Sequence, residues 1–232
     1  MVEKDKDIEN SRKIVIPGET IVSGEGYLPG EGVRREGKDI IASRFGLADI
    51  SDKFVKIIPL SGIYIPRRGN VVIGKIIDLI GKGWLLDINC SDNAFLSLAE
   101  VPRYVNQSEM AECFNFGDVL VAKIWSIGGR GIDLSVKARG HGKLEDGMLI
   151  KINPNKVPRV IGKEGSMVKV IKDATGCNIT VGQNGVVWVK GEKIDDEIKT
   201  KKIIEFICDN SAIHGLTEKT EEFIKKEFGG KE

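Results

Sequence analysis

Four residues of this 232-residue chain, Gly162, Lys163, Glu164 and Gly165, are of a type and spacing that could hold a phosphate group. The two glycines permit tight backbone turns and leave no Cβ atom between the main chain and a ligand. A helical pattern begins at Ser166, so the free N–H groups of its first turn would favour an anion at the loop. Lys163 adds positive charge, whereas Glu164 would repel a phosphate unless its carboxylate points to solvent.

Positive charge is concentrated around this loop, although the whole chain is nearly neutral. There are 35 Lys and Arg residues against 34 Asp and Glu residues, which excludes a protein that binds nucleic acid through bulk charge alone. Between Ile150 and Lys172, however, six cations stand against the single acid Glu164: Lys151, Lys156, Arg159, Lys163, Lys169 and Lys172. This local excess indicates that the loop binds the backbone of a nucleic acid.

The elements predicted around the loop follow the order of a type I KH domain, β-α-α-β-β-α with the Gly-x-x-Gly loop between the first two helices. The segments are MLIKI (strand), KVPRVI (helical turn), SMVKVIKDAT (helix), CNITV and VVWVKG (strands) and EKIDDEIKTKKIIEFICDN (helix). A KH loop clamps about four backbone nucleotides. The predicted RNA contacts in this module are Arg159, Gly162, Lys163, Glu164, Gly165, Ser166 and Lys169.

Two further expectations concern the helices at the end of this module. The long helix should turn an apolar face inward, made of Ile194, Ile198, Ile204, Ile207 and Cys208. An extra C-terminal helix, TEKTEEFIKKEF, should follow, with Thr217 as its N-cap.

The middle of the chain predicts a five-stranded barrel of the OB type, a fold that binds oligonucleotides on one face. Its strands are NVVIGKIIDLI, WLLDI, AFLSL, DVLVAKIWSI and GIDLSV, with a long polar connection between the third and the fourth. Strand alternation places Trp84 in the core and turns Phe95, Lys123 and Trp125 outward.

Outward aromatic rings with nearby cations suit single-stranded RNA, because bases stack on the ring and cations neutralise phosphates. The candidate contacts in the barrel are Phe95, Lys123, Arg130 and Lys137. Phe95 and Trp125 could instead pack against a neighbouring domain.

The N-terminal segment, residues 14–66, has short apolar runs between many glycines, which predicts a small β domain. It contains no His or Cys, and the four cysteines of the chain form no CxxC pair, so neither a cofactor nor a metal site is expected. The charged N-terminus lacks the apolar core of a signal peptide, and no apolar run is long enough to span a membrane. A cytoplasmic protein without membrane contact is therefore expected.

The middle segment resembles the S1 RNA-binding domain in "GNVVIGKIIDLIGKGWLLDI", "FGDVLVAKIWSI" and "GIDLSVKA". It departs from the family at Lys82 and Leu85, where exposed aromatics are usual, and at Ser97, where a His is frequent. The resemblance therefore implies that RNA binding on this face depends more on charge than on stacking.

The whole chain resembles the RNA-binding cap subunits of the archaeal exosome, through "VIPGETIVSGEGYLPGEGVRREG", "IIASRFGLADI", "VKIIPLSGIYIPRRGNVVIGKI" and "PRVIGKEGSM" in that order. The resemblance implies an N-terminal β domain that docks on the exosome ring (residues 1–66), an S1 barrel (67–142) and a KH domain with its extra helix (143–232). Three copies, some exchanged for a zinc-ribbon cap subunit, would sit on a hexameric ring of RNase PH-like proteins. The ring, and not this chain, would degrade single-stranded RNA from its 3′ end with phosphate.

Two other functions are open from the residues alone. A stand-alone transcription or translation factor can also carry S1 and KH modules, although such factors usually have a second KH unit. An enzyme is disfavoured, because the only histidines are His141 and His214 and no carboxylates have metal-binding spacing.

Overall fold

The computed structural model describes residues 13–129, 131–211 and 215–229. Their backbone forms two compact units that meet in sequence between Gly62 and Ile63. Arg130 and His214 lie outside the described residues.

In its described residues, 13–62, the first unit has strands as its only regular elements, as its apolar runs between glycines predict. Its strands are β1 (Lys13–Val15), β2 (Thr20–Ser23), β3 (Leu28–Pro29), β4 (Val33–Glu36), β5 (Asp39–Ala42), β6 (Gly46–Ser51) and β7 (Phe54–Pro59). They form a four-stranded sheet in the order β1-β6-β7-β3 and a three-stranded sheet in the order β2-β5-β4. Val15, Ala42, Ala48 and Ile57 form the core of this unit.

The second unit begins with a closed five-stranded barrel, which confirms the OB-type prediction. The strands are β8 (Val71–Ile80), β9 (Gly83–Asp87), β10 (Ala94–Ser97), β11 (Val119–Gly128) and β12 (Gly131–Ser135). They pair in the order β12-β10-β9-β8-β11, and β11 pairs back to β12 to close the barrel. A further short strand, β13 (Gly142–Leu144), extends the sheet along β11.

Trp84 lies in the barrel core, as the alternation predicts. Its side chain is 0% exposed, and its indole Nε1 donates to the Phe114 carbonyl at 2.8 Å. Phe114 belongs to the polar connection after β10, which includes the short helix α1 (Met110–Cys113). This connection adds Val101, Met110 and Phe114 to the barrel core, and so it covers apolar side chains that the strands alone would leave exposed.

The remaining chain folds as a type I KH domain with an extra helix, as predicted. Its elements are β14 (Met148–Lys151), α2 (Val157–Ile161), α3 (Ser166–Thr175), β15 (Asn178–Val181), β16 (Val186–Lys190), α4 (Ile194–Asp209) and α5 (Leu216–Phe228). The three strands form an antiparallel sheet in the order β14-β16-β15. One core joins this sheet to residues of the helices that pack on it, among them Val160, Ile171 and Ile204.

Two details of the helices differ from the expectation. Ile194 is 72% exposed and Ile198 is also exposed, because the buried face of α4 begins only at Thr200. Ile204, Ile207 and Cys208 are buried as predicted, together with Ile203. Thr217 lies inside α5, whose N-cap is Gly215 in the left-handed conformation at φ 68°.

The barrel and the KH domain are joined by the turn between β15 and β16. Asn184 in this turn is 0% exposed; its side chain accepts from the Ile73 N–H at 3.2 Å and donates to the Ile73 and Ile88 carbonyls at 2.8 Å each. Next to it, the Gln183 N–H donates to the Val71 carbonyl at 2.8 Å. Residues 71–74 of β8 are not paired with β9, which pairs only from Lys75 onward. The turn therefore provides hydrogen-bond partners for backbone N–H and carbonyl groups of β8 that have no partner on β9.

Candidate RNA interface

The Gly-x-x-Gly loop has a backbone that only glycine adopts easily at its first position. Gly162 has φ 74° and ψ 173°, and a Cβ atom added there would lie 2.6 Å from the Met167 backbone nitrogen. Gly165 has φ 81° and ψ 11°, and a Cβ atom there would meet nothing within 4 Å. Gly162 is thus required by both conformation and close packing, and Gly165 by conformation alone.

The loop leads directly into α3, as the sequence predicts. Gly165 is the N-cap of this helix and offers no side-chain hydrogen bond to its first turn. No side chain caps the N–H groups of that turn, of which the Ser166 N–H donates to the Lys163 carbonyl, and the positive end of the helix dipole faces the loop. Met167 and Ile171 anchor the opposite face of α3 in the core.

The cations around the loop are free to bind an anion. Arg159, Lys163 and Lys169 are exposed, and so are Ser166 and Glu164. Among the described residues, none of the six cations between Ile150 and Lys172 forms an ion pair with a carboxylate. A ligand phosphate would thus not have to displace an internal partner.

Glu164 has the left-handed conformation, with φ 54° and ψ 27°, and its side chain is exposed. A carboxylate in solvent is screened, so its repulsion of a phosphate at the backbone is weak. This geometry agrees with the expectation that Glu164 points to solvent.

On the barrel, Phe95 lies on the outer side of β10, opposite to the buried Ala94 and Leu96. Its ring extends over the neighbouring strand, because a Cβ atom added to Gly83 would lie 2.8 Å from the Phe95 Cζ atom. Phe95 is therefore half-buried against the backbone of β9, which leaves only part of the ring for a base. Its stacking role stays a prediction.

Other predicted barrel contacts differ in their surroundings. Lys123 is exposed and has no ion-pair partner among the described residues, whereas the Lys137 ammonium lies 3.2 Å from a Glu100 carboxylate oxygen. This pair is accessible and contributes at most about 1 kcal/mol, so RNA could displace Glu100 at small cost. Arg130 lies outside the described residues.

At the positions where the sequence departs from common S1 domains, the structure shows no aromatic replacement. Lys82 is exposed and Leu85 is half-buried. The Ser97 hydroxyl accepts from the Ala99 N–H at 3.3 Å and caps a turn of 3₁₀ helix. These three positions therefore supply one cation and no aromatic ring, and the ring near them is that of Phe95, which pairs with Leu85.

Sequence reasoning gave no RNA-binding or domain-joining role to two residues that the structure brings forward, although it named Arg68 as one candidate for contact with the exosome ring. Arg68 lies with its guanidinium carbon 5.5 Å from the centre of the exposed Trp125 ring. Asn184 fixes the KH domain to the barrel. In the sequence, Asn184 could be recognised only as a polar residue in a glycine turn. Arg68 could be recognised only as part of a basic pair before β8.

The described residues also bear on metal binding, on the charge of His141 and on membrane insertion. No group of three His, Cys, Asp or Glu side chains among them could hold a metal ion. Burial first, and Lys123 second, lower the pKa of His141, so its imidazole is neutral at pH 7. None of the described helices is long and apolar enough to cross a membrane.

Comparison with protein-family models divides the chain in the order predicted. Residues 14–51 match the model of the exosome complex exonuclease RRP4 N-terminal region. Residues 63–126 match the RRP4 S1 domain, and residues 147–195 match a KH domain.

Similar proteins cover nearly the whole chain. The exosome complex component Rrp4 of Methanothermus fervidus is 41% identical over 92% of this chain and 95% of its own length. That of Methanothermobacter thermautotrophicus is 39% identical over 95% of this chain and 70% of its own length. A crystal structure of a protein provisionally named as an exosome complex RNA-binding protein superposes with a TM-score of 0.64 at 33% identity, covering 71% of this chain and 97% of that one. With its N-terminal region, S1 barrel and KH domain in this order, the chain belongs to the Rrp4 family of exosome components.

Proposed function

We propose that this protein is a non-catalytic cap subunit that captures single-stranded RNA and guides its 3′ end into an RNase PH-like hexameric ring for phosphorolytic degradation. In this proposal, three copies of the protein bind to each ring, and the complex is cytoplasmic. The observation that carries it is the KH loop: exposed cations without ion-pair partners surround a glycine loop at the start of α3.

The chemistry of this loop favours RNA backbone over other ligands. The N–H groups at the start of α3 and the separate cations can bind successive phosphates. Glu164 and Ser166 also lie in this loop, but neither side chain has a hydrogen-bond partner among the described residues that would activate it for catalysis. The apolar residues beneath the loop, Val160, Met167 and Ile171, are buried in the core and serve to hold it. Capture without cleavage is therefore the function that this surface supports best.

The link through Asn184 supports the guiding role. Because buried hydrogen bonds connect the turn between β15 and β16 to β8, RNA bound at the KH loop is held at a set position relative to the barrel. Two contacts on one rigid body orient a strand at little further cost in entropy. The three modules at 1–66, 67–142 and 143–232 remain our proposed functional divisions.

The loop is tested by replacing Lys163 and Glu164 with Asp and measuring RNA binding across salt concentrations. We expect roughly 10- to 100-fold weaker binding, since a hydrogen bond to a charged group contributes about 1.5–3 kcal/mol. The slope of log affinity against log salt should fall by about one. A matched control replaces Lys226 and Glu227 on α5, both exposed, with Asp; it makes the same change in charge. Equal affinities for the two variants would remove the loop from the binding site.

Docking and the absence of catalysis are tested together. The purified chain should leave a labelled RNA intact with phosphate present, and should co-elute with archaeal RNase PH-like ring subunits in size-exclusion chromatography. Shortening of the RNA by the chain alone would contradict the non-catalytic role. A chain that stays separate from the ring would favour the stand-alone factor.

A further inference from the structure

Trp125 differs from the other two tryptophans of the chain in its surroundings. Trp84 and Trp188 each donate their indole N–H to a backbone carbonyl, that of Phe114 and that of Asp146 respectively. Trp125 is 54% exposed, and its indole N–H has no hydrogen-bond partner among the described residues. The exposed indole thus presents an apolar face and an N–H group on which a ligand can bind.

The backbone of β11 is irregular where it carries this ring. The pairing of β11 with β12 shifts between Ile124 and Ser126, so Trp125 has no partner residue on β12. Such a bulge re-aims a side chain, and bulges are frequent next to binding sites. Strand alternation leaves Lys123 and Trp125 exposed and Ile124 between them fully buried, and the bulge adds that Trp125 is the residue without a partner on β12.

A cation is positioned against the ring by backbone hydrogen bonds. The guanidinium carbon of Arg68 lies 5.5 Å from the centre of the Trp125 ring. The next residue, Gly69, donates its N–H to the Ile124 carbonyl, and Ile124 donates to the Asn70 carbonyl, both at 2.8 Å. The segment that carries Arg68 is therefore tied alongside β11, and the contact is part of the fold.

The cations near the ring are not neutralised. Neither Arg68 nor Lys123 forms an ion pair within the part of the chain that the structure describes. By contrast, Lys137 pairs with Glu100, and the Lys143 ammonium lies 3.0 Å from an Asp118 oxygen. Unpaired positive charge beside a stacking surface is the combination that an unpaired base and its phosphate require.

We propose that Trp125, Arg68 and Lys123, here called the Trp125 platform, form a second contact for single-stranded RNA, distinct from the KH loop. A base stacks on the indole or on the guanidinium plane, both of which are used for this purpose in RNA recognition. Lys123, two residues along the strand on the same side, binds an adjacent phosphate. Duplex RNA is excluded because its bases are already stacked and paired. The proposal rests on the proposed function, that the chain captures single-stranded RNA.

The test uses the full chain and a fluorescein-labelled single-stranded oligo(A), with binding followed by anisotropy. Replacing Trp125 by Ala should weaken binding roughly 5- to 150-fold, the range found when a stacking ring is removed. Replacing Trp125 by Phe keeps a ring and should retain most of the affinity. Arg68→Ala should weaken binding and lower the salt slope by about one, because one cation is lost.

A spectroscopic measurement gives an independent check that does not depend on the stability of the Ala variant. Unlabelled oligo(A) should quench the tryptophan fluorescence of the wild-type protein, because a base stacks on an exposed indole. In Trp125→Phe, which keeps Trp84 and Trp188, most of this quenching should disappear while binding persists.

The outcomes separate this proposal from the proposed function. Unchanged affinity and quenching in the Trp125 variants, with weaker binding in the Lys163 and Glu164 double variant, would overturn the platform and leave RNA capture by the KH loop intact. Loss of ring association without loss of RNA affinity would make the Trp125 surface a protein contact and would also overturn it. A wild-type protein that binds no RNA would overturn both.

Discussion

Asn184 allows a quantitative test of how the barrel and the KH domain are held together. Replacing it with Ala removes three side-chain hydrogen bonds, with distances of 3.2, 2.8 and 2.8 Å, at a site that is 0% exposed. The Ile73 N–H and the Ile73 and Ile88 carbonyls then lose these partners. A buried polar group without a partner costs about 1–3 kcal/mol. Some water entry into the vacated space offsets the upper part of this range.

We therefore expect Asn184→Ala to lower the free energy of unfolding by about 3–5 kcal/mol, which is a large share of the stability of a typical domain. The assay is urea unfolding at 25 °C, followed by far-UV circular dichroism and by tryptophan fluorescence. Each 1.4 kcal/mol corresponds to a tenfold change in the unfolding equilibrium, so the expected shift is well within the range of the measurement.

Gln183→Ala is the matched control, since it removes one side-chain hydrogen bond from the same turn. The Gln183 side chain accepts from the Val71 N–H at 3.0 Å, but this contact is exposed, so water can replace it. Its loss should cost less than about 1 kcal/mol. A cost for Asn184→Ala no larger than that for Gln183→Ala would refute the reasoning that buried hydrogen bonds at this turn join the two domains.

Three more outcomes follow from local geometry. Gly162→Ala should destabilise the protein by about 1–3 kcal/mol and weaken RNA binding, because the alanine would have an unfavourable φ and its Cβ atom would clash with the Met167 backbone. Gly165→Ala has only the unfavourable φ and should lower the free energy of unfolding by about 1 kcal/mol. Equal costs for the two variants in urea unfolding would contradict this. Burial raises the pKa of Tyr64 to about 12; the folded state then holds this proton more tightly, so stability should fall as pH rises from about 10 to about 12, and Tyr64→Phe should remove that part of the pH dependence. Burial likewise raises the pKa of the Cys208 thiol to about 11, so at pH 8 its thiolate is about 100-fold rarer than that of an ordinary thiol. Iodoacetamide, with modified peptides quantified by mass spectrometry, should label Cys208 far more slowly in the native protein than in urea, and equal rates would contradict its burial.

Much of the fold could be predicted because the patterns that specify it are local. The helix Ser166–Thr175 was expected over the same residues, since its apolar period and flanking glycines mark both ends. The five barrel strands followed from alternation, which also placed Trp84 in the core. The loop at Gly162–Gly165 was identified because its glycines stand between two helical patterns in a basic stretch.

The errors occurred where burial depends on what packs against an element. Ile194 and Ile198 fit the helical period of α4, yet the buried residues of α4 begin only at Thr200, and both isoleucines are exposed. Thr217 is a good N-cap by residue type, but Gly215 in the left-handed conformation starts α5 earlier. Helix propensity and the period of apolar residues do not show where a neighbouring helix or sheet will pack.

The sequence by itself determined the order of modules, the phosphate-binding loop and most of the core, because side-chain period, glycine placement and local charge act over a few residues. Only the tertiary structure decided the contacts between distant segments. The Asn184 side chain forms a hydrogen bond with Ile73, 111 residues away, and Arg68, just before β8, contacts Trp125 on the neighbouring strand β11. From the sequence alone, a glycine turn or a basic pair could contact many other segments. In the fold, the closed barrel leaves buried N–H and carbonyl groups without strand partners at only a few places, and a distant polar side chain must bind there.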